Sequence, residues 1–120
     1  MAGKLNLKIN KGETFRYTLR WLDAAEAPVS LTGYNARMQV RPDIDSDKVL
    51  LVFASDPLLN PDGTITLNNT TGEIVLYLGA TDTAAITWSA GVYDLEMYQN
   101  ADEVTRLVEG KVSVTKEVTR

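Results

Sequence analysis

The sequence predicts an all-β protein, a two-sheet antiparallel sandwich of about eight strands in one domain spanning residues 1–120. Apolar and polar residues alternate along much of the chain, the two-residue period of strands with one face in a core. Turn signals interrupt these runs about every 8–12 residues, as in sandwiches and barrels. Thirteen threonines and many other β-branched residues favour extended backbone. A small closed barrel is the competing architecture, and threonine and turn content do not separate the two.

Leu5, Leu7 and Ile9 alternate with Asn6, Lys8 and Asn10, and Lys11-Gly12-Glu13 turns the chain. Phe15, Tyr17, Leu19 and Trp21 then share one strand face, expected to point inward, with Arg16, Thr18 and Arg20 on the other. Residues 23–28 form a loop, and Leu31-Thr32-Gly33 leads into a strand with Tyr34, Ala36, Met38 and Val40 inward. Asn35, Arg37, Gln39 and Arg41 face outward. Residues 42–48 are acidic and irregular. The run from Val49 to Phe53 is apolar throughout, which predicts a strand covered on both faces. Asn60-Pro61-Asp62-Gly63 reads as a turn in which glycine supplies positive φ. A hairpin follows, with Thr64 to Leu67 and Glu73 to Leu78 as its arms.

At most one short helical turn is expected, capped by Thr81 or Asp82 and running through Thr83 to Ile86. Gly91 opens a strand in which Tyr93, Leu95 and Met97 alternate with Asp94, Glu96 and Tyr98. In the last strand Val108, Gly110, Val112 and Val114 point inward; Leu107 breaks the alternation, and a bulge is expected at Glu109-Gly110.

The chain has no cysteine and no histidine. Disulfides, thiol nucleophiles, zinc-thiolate sites and Ser-His-Asp or Cys-His catalysis are therefore excluded. No apolar run is long enough for a signal-peptide core or a membrane span, so neither export by that route nor a membrane partner is expected. The net charge of −4 is unevenly spread: residues 1–41 are basic, 42–103 strongly acidic and 104–120 mildly basic. An acidic total without a concentrated basic patch argues against nucleic-acid binding. The asymmetry is read first as chance, since charge runs usually mark solvated faces; the alternative is complementary surfaces between copies or neighbours.

Asp43, Asp45 and Asp47 have the spacing that opens an EF-hand loop. Lys48 stands where that motif needs glycine and Ala54 where it needs glutamate, so a solvated acidic loop is expected and no metal. Asp94 and Glu96 lie about 6.5–7 Å apart on one strand face, superficially like a glycosidase carboxylate pair. Outward arginines such as Arg37 and Arg41 give them a simpler role in cross-strand ion pairs. Trp88 and Tyr98 are the aromatics least committed to the core. Trp88, Tyr98, Arg37, Arg41, Asp94 and Glu96 are accordingly candidate interface residues; no catalytic, cofactor-binding or metal-binding residue is assigned.

The segments INKGETFRYTLRW (Ile9 to Trp21), LTGYNARMQVR (Leu31 to Arg41), GVYDLEMY (Gly91 to Tyr98) and RLVEGKVSVTKEVTR (Arg106 to Arg120) resemble small virion proteins of tailed bacteriophages. The likeness is strongest to the immunoglobulin-like N-terminal domain of phage upper-baseplate proteins. It implies an immunoglobulin-like sandwich and a structural, non-enzymatic role without cofactors, in a virion assembled from chains made in the host bacterial cytoplasm. In that family the sandwich often precedes a longer connecting or fibre-bearing region, whereas this sequence ends at Arg120. An adaptor, collar, decoration or baseplate component is therefore the implied role, with other phage virion proteins, or copies of the chain in a ring, as partners. A carbohydrate- or ligand-binding module using Trp88, Tyr98 and the 43–47 loop is the alternative. A glycosidase-like enzyme using Asp94 and Glu96 is a third and weaker one.

Overall fold

The computed structural model describes residues 3–117, and these form an all-β fold. Nine strands occur in chain order: β1 (Gly3–Lys4), β2 (Leu7–Asn10), β3 (Phe15–Arg20), β4 (Asn35–Arg41), β5 (Leu51–Ala54), β6 (Gly63–Asn68), β7 (Glu73–Leu78), β8 (Ala90–Asn100) and β9 (Glu103–Thr115). A 3₁₀ turn, Pro57–Leu59, precedes β6, and a short helix α1, Ala80–Ala84, precedes β8.

Instead of two separate antiparallel sheets, the strands make one curled, mixed sheet in the order β1-β9-β8-β4-β5-β6-β7-β3, with β2 following β1 along β9. Three pairings are parallel: β1 with β9, β2 with β9, and β5 with β6. Parallel neighbours need a crossover rather than a tight turn. Between β5 and β6 the 55–62 segment makes that crossover and is tied back where the Asp62 N–H donates to Val52 O (2.8 Å) and the Val52 N–H to Asp62 Oδ2 (2.9 Å). Residues 60–63 are thus part of a crossover; Asn60, not Gly63, takes positive φ, at 49°.

Strands β2 and β3 are consecutive in sequence yet lie at opposite ends of the sheet, joined only by residues 11–14. That short tether draws the two ends together and curls the sheet part way round a barrel. One core fills the curl, built from Leu7 and Ile9 of β2, Met38 and Val40 of β4, Phe53 of β5, Leu76 and Leu78 of β7, and Leu95 and Met97 of β8. The inward positions expected in β4 and β8 are thus buried. Strand β3 departs from expectation. Phe15 is buried and stands edge-on to Phe53 (6.1 Å, 64°), but Tyr17 is 36% exposed, because β3 ends the sheet among the described residues and no strand of theirs lies beyond it.

The predicted helix exists but starts earlier, at Ala80. Gly79 is its N-cap and makes no side-chain cap bond, so neither Thr81 nor Asp82 fills that role. What anchors the helix is Thr83, the one buried polar residue among those described. Its hydroxyl accepts from the Gly12 N–H (3.0 Å) and shares its proton between Glu13 O (2.9 Å) and Ala80 O (3.0 Å). Gly12 has φ 83°, so the 11–14 turn and α1 are locked together at one hydroxyl. Thr83→Val keeps the shape and removes those bonds, leaving an N–H and a carbonyl unsatisfied. Urea unfolding is expected to show a loss of about 2 kcal/mol.

Strand β9 carries the bulge, displaced from its expected place. Leu95 pairs with Val108 but Glu96 pairs with Arg106, so Leu107 is the extra residue and Glu109-Gly110 stays in register. A second irregularity, between Tyr98 and Asn100, leaves Gln99 unpaired. No helix among the described residues is long and apolar enough to cross a membrane.

Candidate functional site

Strands β4, β8 and β9 present one continuous outer face. Residues directly opposite each other in paired strands point the same way, so the register fixes which side chains meet. Arg37 lies opposite Glu96, which lies opposite Arg106; Gln39 lies opposite Asp94, which lies opposite Glu109, which in turn faces Lys4 of β1. The Leu107 bulge makes this possible. Strict alternation from inward-facing Val108 would turn Arg106 into the core; the extra residue rotates it onto the outer face.

The contacts follow the register. Arg37 Nε donates to Glu96 Oε1 at 2.8 Å, and its guanidinium stands 4.4 Å above the Tyr98 ring. Arg106 reaches Asp94 Oδ2 at 3.4 Å and Glu109 Oε1 at 3.6 Å, and Lys4 Nζ closes the row on Glu109 Oε2 at 2.7 Å. Arg41 donates to Gln39 Oε1 (2.7 Å) and to Ser46 O (2.8 Å), pinning the 42–50 loop to the sheet. The Arg37–Glu96 pair, part-buried and backed by an aromatic ring, contributes about 0.5–1 kcal/mol.

Above this face runs a trough of about 710 Å³. Its floor carries Val52, Val92 and Asp94, and its rim carries Ile44 from the 42–50 loop and Leu59 from the 3₁₀ turn. Ile44 is 84% exposed, and Leu58, beside Leu59, is 85% exposed. Burial on the trough floor is the main influence raising the Asp94 carboxyl above its usual range; the Glu96 and Glu109 carboxylates add to it, while Arg106 and Arg41 pull the other way. Glu109 is shifted downward, chiefly by the hydrogen bond and charge of Lys4.

The folded state holds the Asp94 proton more tightly than the unfolded chain, so this stabilising term is complete below the ordinary value of 3.8 and is lost as pH rises through the folded-state value. Asp94→Asn has no such loss. Its stability relative to the parent protein is therefore expected to climb between pH below 3.8 and about pH 7 in urea unfolding at the two pH values. A difference that falls or stays flat would contradict the assignment.

Of the candidate residues, Arg37, Arg41, Asp94, Glu96 and Tyr98 come together on this face. Trp88 does not. It is half-buried against the core and flanks a separate cleft of about 340 Å³ with Lys48, Asp62 and Asp82. Asp43, Asp45 and Asp47 sit in a turn held by Asp43 Oδ1, which accepts from the Asp45 N–H at 3.0 Å; no group able to hold a metal ion occurs among the described residues. Sequence periodicity misses Arg106, Glu109 and Lys4. The break at Leu107 is the one signal in the sequence that bears on Arg106. Comparison with models of known protein families and with curated proteins gives no match.

Proposed function

We propose that this chain is a non-enzymatic structural protein of a tailed-bacteriophage virion, an adaptor, collar, decoration or baseplate component that assembles through protein–protein contacts. The observation that carries the assembly role is the trough, where exposed Ile44 and Leu59 stand beside a ladder of paired charges. Apolar side chains held in solvent next to ordered polar groups are the anatomy of a docking surface. The phage context comes from the four quoted segments, and with it comes the immunoglobulin-like sandwich. Support for that fold is coarser: an all-β chain whose β2, β4, β8 and β9 share one core with β3, β6 and β7.

A carbohydrate- or ligand-binding module is the alternative, since a trough of about 710 Å³ falls within the range of small-molecule sites. Against it, the Tyr98 ring face is covered by Arg37 and Trp88 lies elsewhere, so these two aromatics offer no shared stacking platform. Mass spectrometry of gradient-purified particles tests the proposal. The chain should appear at fixed stoichiometry to the known structural proteins, and its absence from the particle would overturn the virion role.

A further inference from the structure

We infer that copies of this chain associate head to tail, the acidic 43–47 loop of one adding to the β3 edge of the next; the inference deepens the assembly role just proposed and rests on it. Among the described residues, strand β3 pairs only with β7. The Trp21 N–H, just past β3, donates to Gly72 O on the β7 side, and residues 21–29 fold back on that same side through Val29 N–H to Trp21 O. By the two-residue alternation of an antiparallel strand, Arg16, Thr18 and Arg20 turn their backbone N–H and C=O groups to the open edge. Neither arginine has a carboxylate partner among the described residues. Arg16 stacks 5.2 Å from the Tyr77 ring, and Arg20 reaches only Thr71 O at 3.4 Å.

The complementary element is the 43–47 loop. Asp43, Asp45 and Asp47 alternate with Ile44 and Ser46, and none of the three aspartates pairs with a cation among the described residues. Extended and antiparallel to β3, the segment sets Asp47 opposite Arg16, Asp45 opposite Thr18 and Asp43 opposite Arg20. Ile44 then lies over half-buried Leu19 on the inner face, where its 84% exposure ends. The turn that must open is held by Ser46 N–H to Asp43 O (3.2 Å) and Asp45 N–H to Asp43 Oδ1 (3.0 Å); in the added strand Asp43 O and Asp45 N–H bond to the edge instead, while Ser46 N–H turns to solvent. The bond from Arg41 to Ser46 O opens as well when the segment extends.

Loop and edge sit at opposite ends of the sheet. Arg41, at the end of β4, leads into the loop, whereas β3 starts level with Met38 and runs the other way to Arg20. One copy can therefore use both surfaces at once, which makes the contact heterologous.

Sedimentation velocity on the purified chain tests this. At low salt the average sedimentation coefficient should rise with concentration, and it should fall back to the monomer value in about 1 M salt, where the screening length is about 3 Å. Arg16→Glu/Arg20→Glu and Asp43→Lys/Asp47→Lys should each be monomeric alone and should associate when mixed. Hydrogen exchange on the unaltered chain gives a second readout, with the Arg16, Thr18 and Arg20 amides gaining protection as concentration rises. A monomer throughout, self-association of either variant alone, or a mixture that stays monomeric would overturn the contact. A chain present in particles yet monomeric in solution removes this contact and leaves the virion role; self-association by a chain absent from particles does the reverse.

Discussion

Replacing Gly63 with alanine is expected to lower the free energy of unfolding by about 3 kcal/mol, the upper end of what overpacking usually costs. Gly63 opens β6 and pairs in parallel with Phe53, one of only two residue pairs that join β5 to β6. An added Cβ would stand 2.5 Å from two carbons of the Phe53 ring and 2.6 Å from Tyr77 O. Neither obstacle can retreat cheaply. The ring is fully buried and packs edge-on against Phe15, while the carbonyl belongs to β7, which is paired on both sides. The strain therefore falls on the β5–β6 junction, where the sheet turns its corner. Urea unfolding of Gly63→Ala measures the loss. The double variant Gly63→Ala/Phe53→Leu should show a smaller loss than the two single losses added, because leucine removes the ring carbons but leaves Tyr77 O in place. Strict additivity would mean that the ring is not the obstacle.

Glycine at position 63 shows how sequence and structure divide. Next to proline and aspartate it looks like a residue chosen for positive φ, but it has none; it is small because an aromatic ring from β5 lies against it. That contact links residues brought together by a parallel crossover, and no local pattern encodes such a partner. Where a strand pairs with close neighbours and has one face in the core, the alternation is sufficient. Ala36, Met38 and Val40 in β4, and Tyr93, Leu95 and Met97 in β8, are all buried as their spacing requires. The same spacing places Arg37, Asp94, Glu96 and Tyr98 together on the outer face. It fails for Arg106, which depends on a one-residue bulge, and for Tyr17, whose exposure depends on which strand ends the sheet. Thr83 is opaque for a related reason: its partners are the backbone of Gly12 and Glu13, far away in sequence.

Gly110→Ala should cost about 3 kcal/mol as well, and its effects should extend into the candidate site. Gly110 lies opposite Tyr93 in β8. Its Cα side is crossed by the chain at Leu5, so closely that a Cβ would overlap Leu5 O. That same carbonyl accepts a hydrogen bond from the Tyr93 hydroxyl at 2.7 Å, and the Leu5 N–H donates to Glu109 O at 2.9 Å. A methyl group at position 110 must therefore lift the segment between β1 and β2 away from β9, and Lys4 goes with it. Once Lys4 leaves, the Glu109 carboxyl should rise toward its ordinary 4.5, a change read by NMR titration of that side chain. A depressed carboxylate stabilises the folded state above its unfolded pKa and loses that term as pH falls, so the variant should lack this part of the parent's acid sensitivity. Burial, aided by the nearby Tyr17 phenol, pushes Tyr93 up to about 12; with the edge lifted, water reaches its hydroxyl and the value should fall toward 10.0. Tyr93→Phe separates the two effects. It removes only the bond to Leu5 O, costing about 1 kcal/mol, and should leave Glu109 low because Lys4 stays in place. If Gly110→Ala left Glu109 where it is, the close approach of Leu5 would not be what holds β1, and Lys4 with it, beside the charged face.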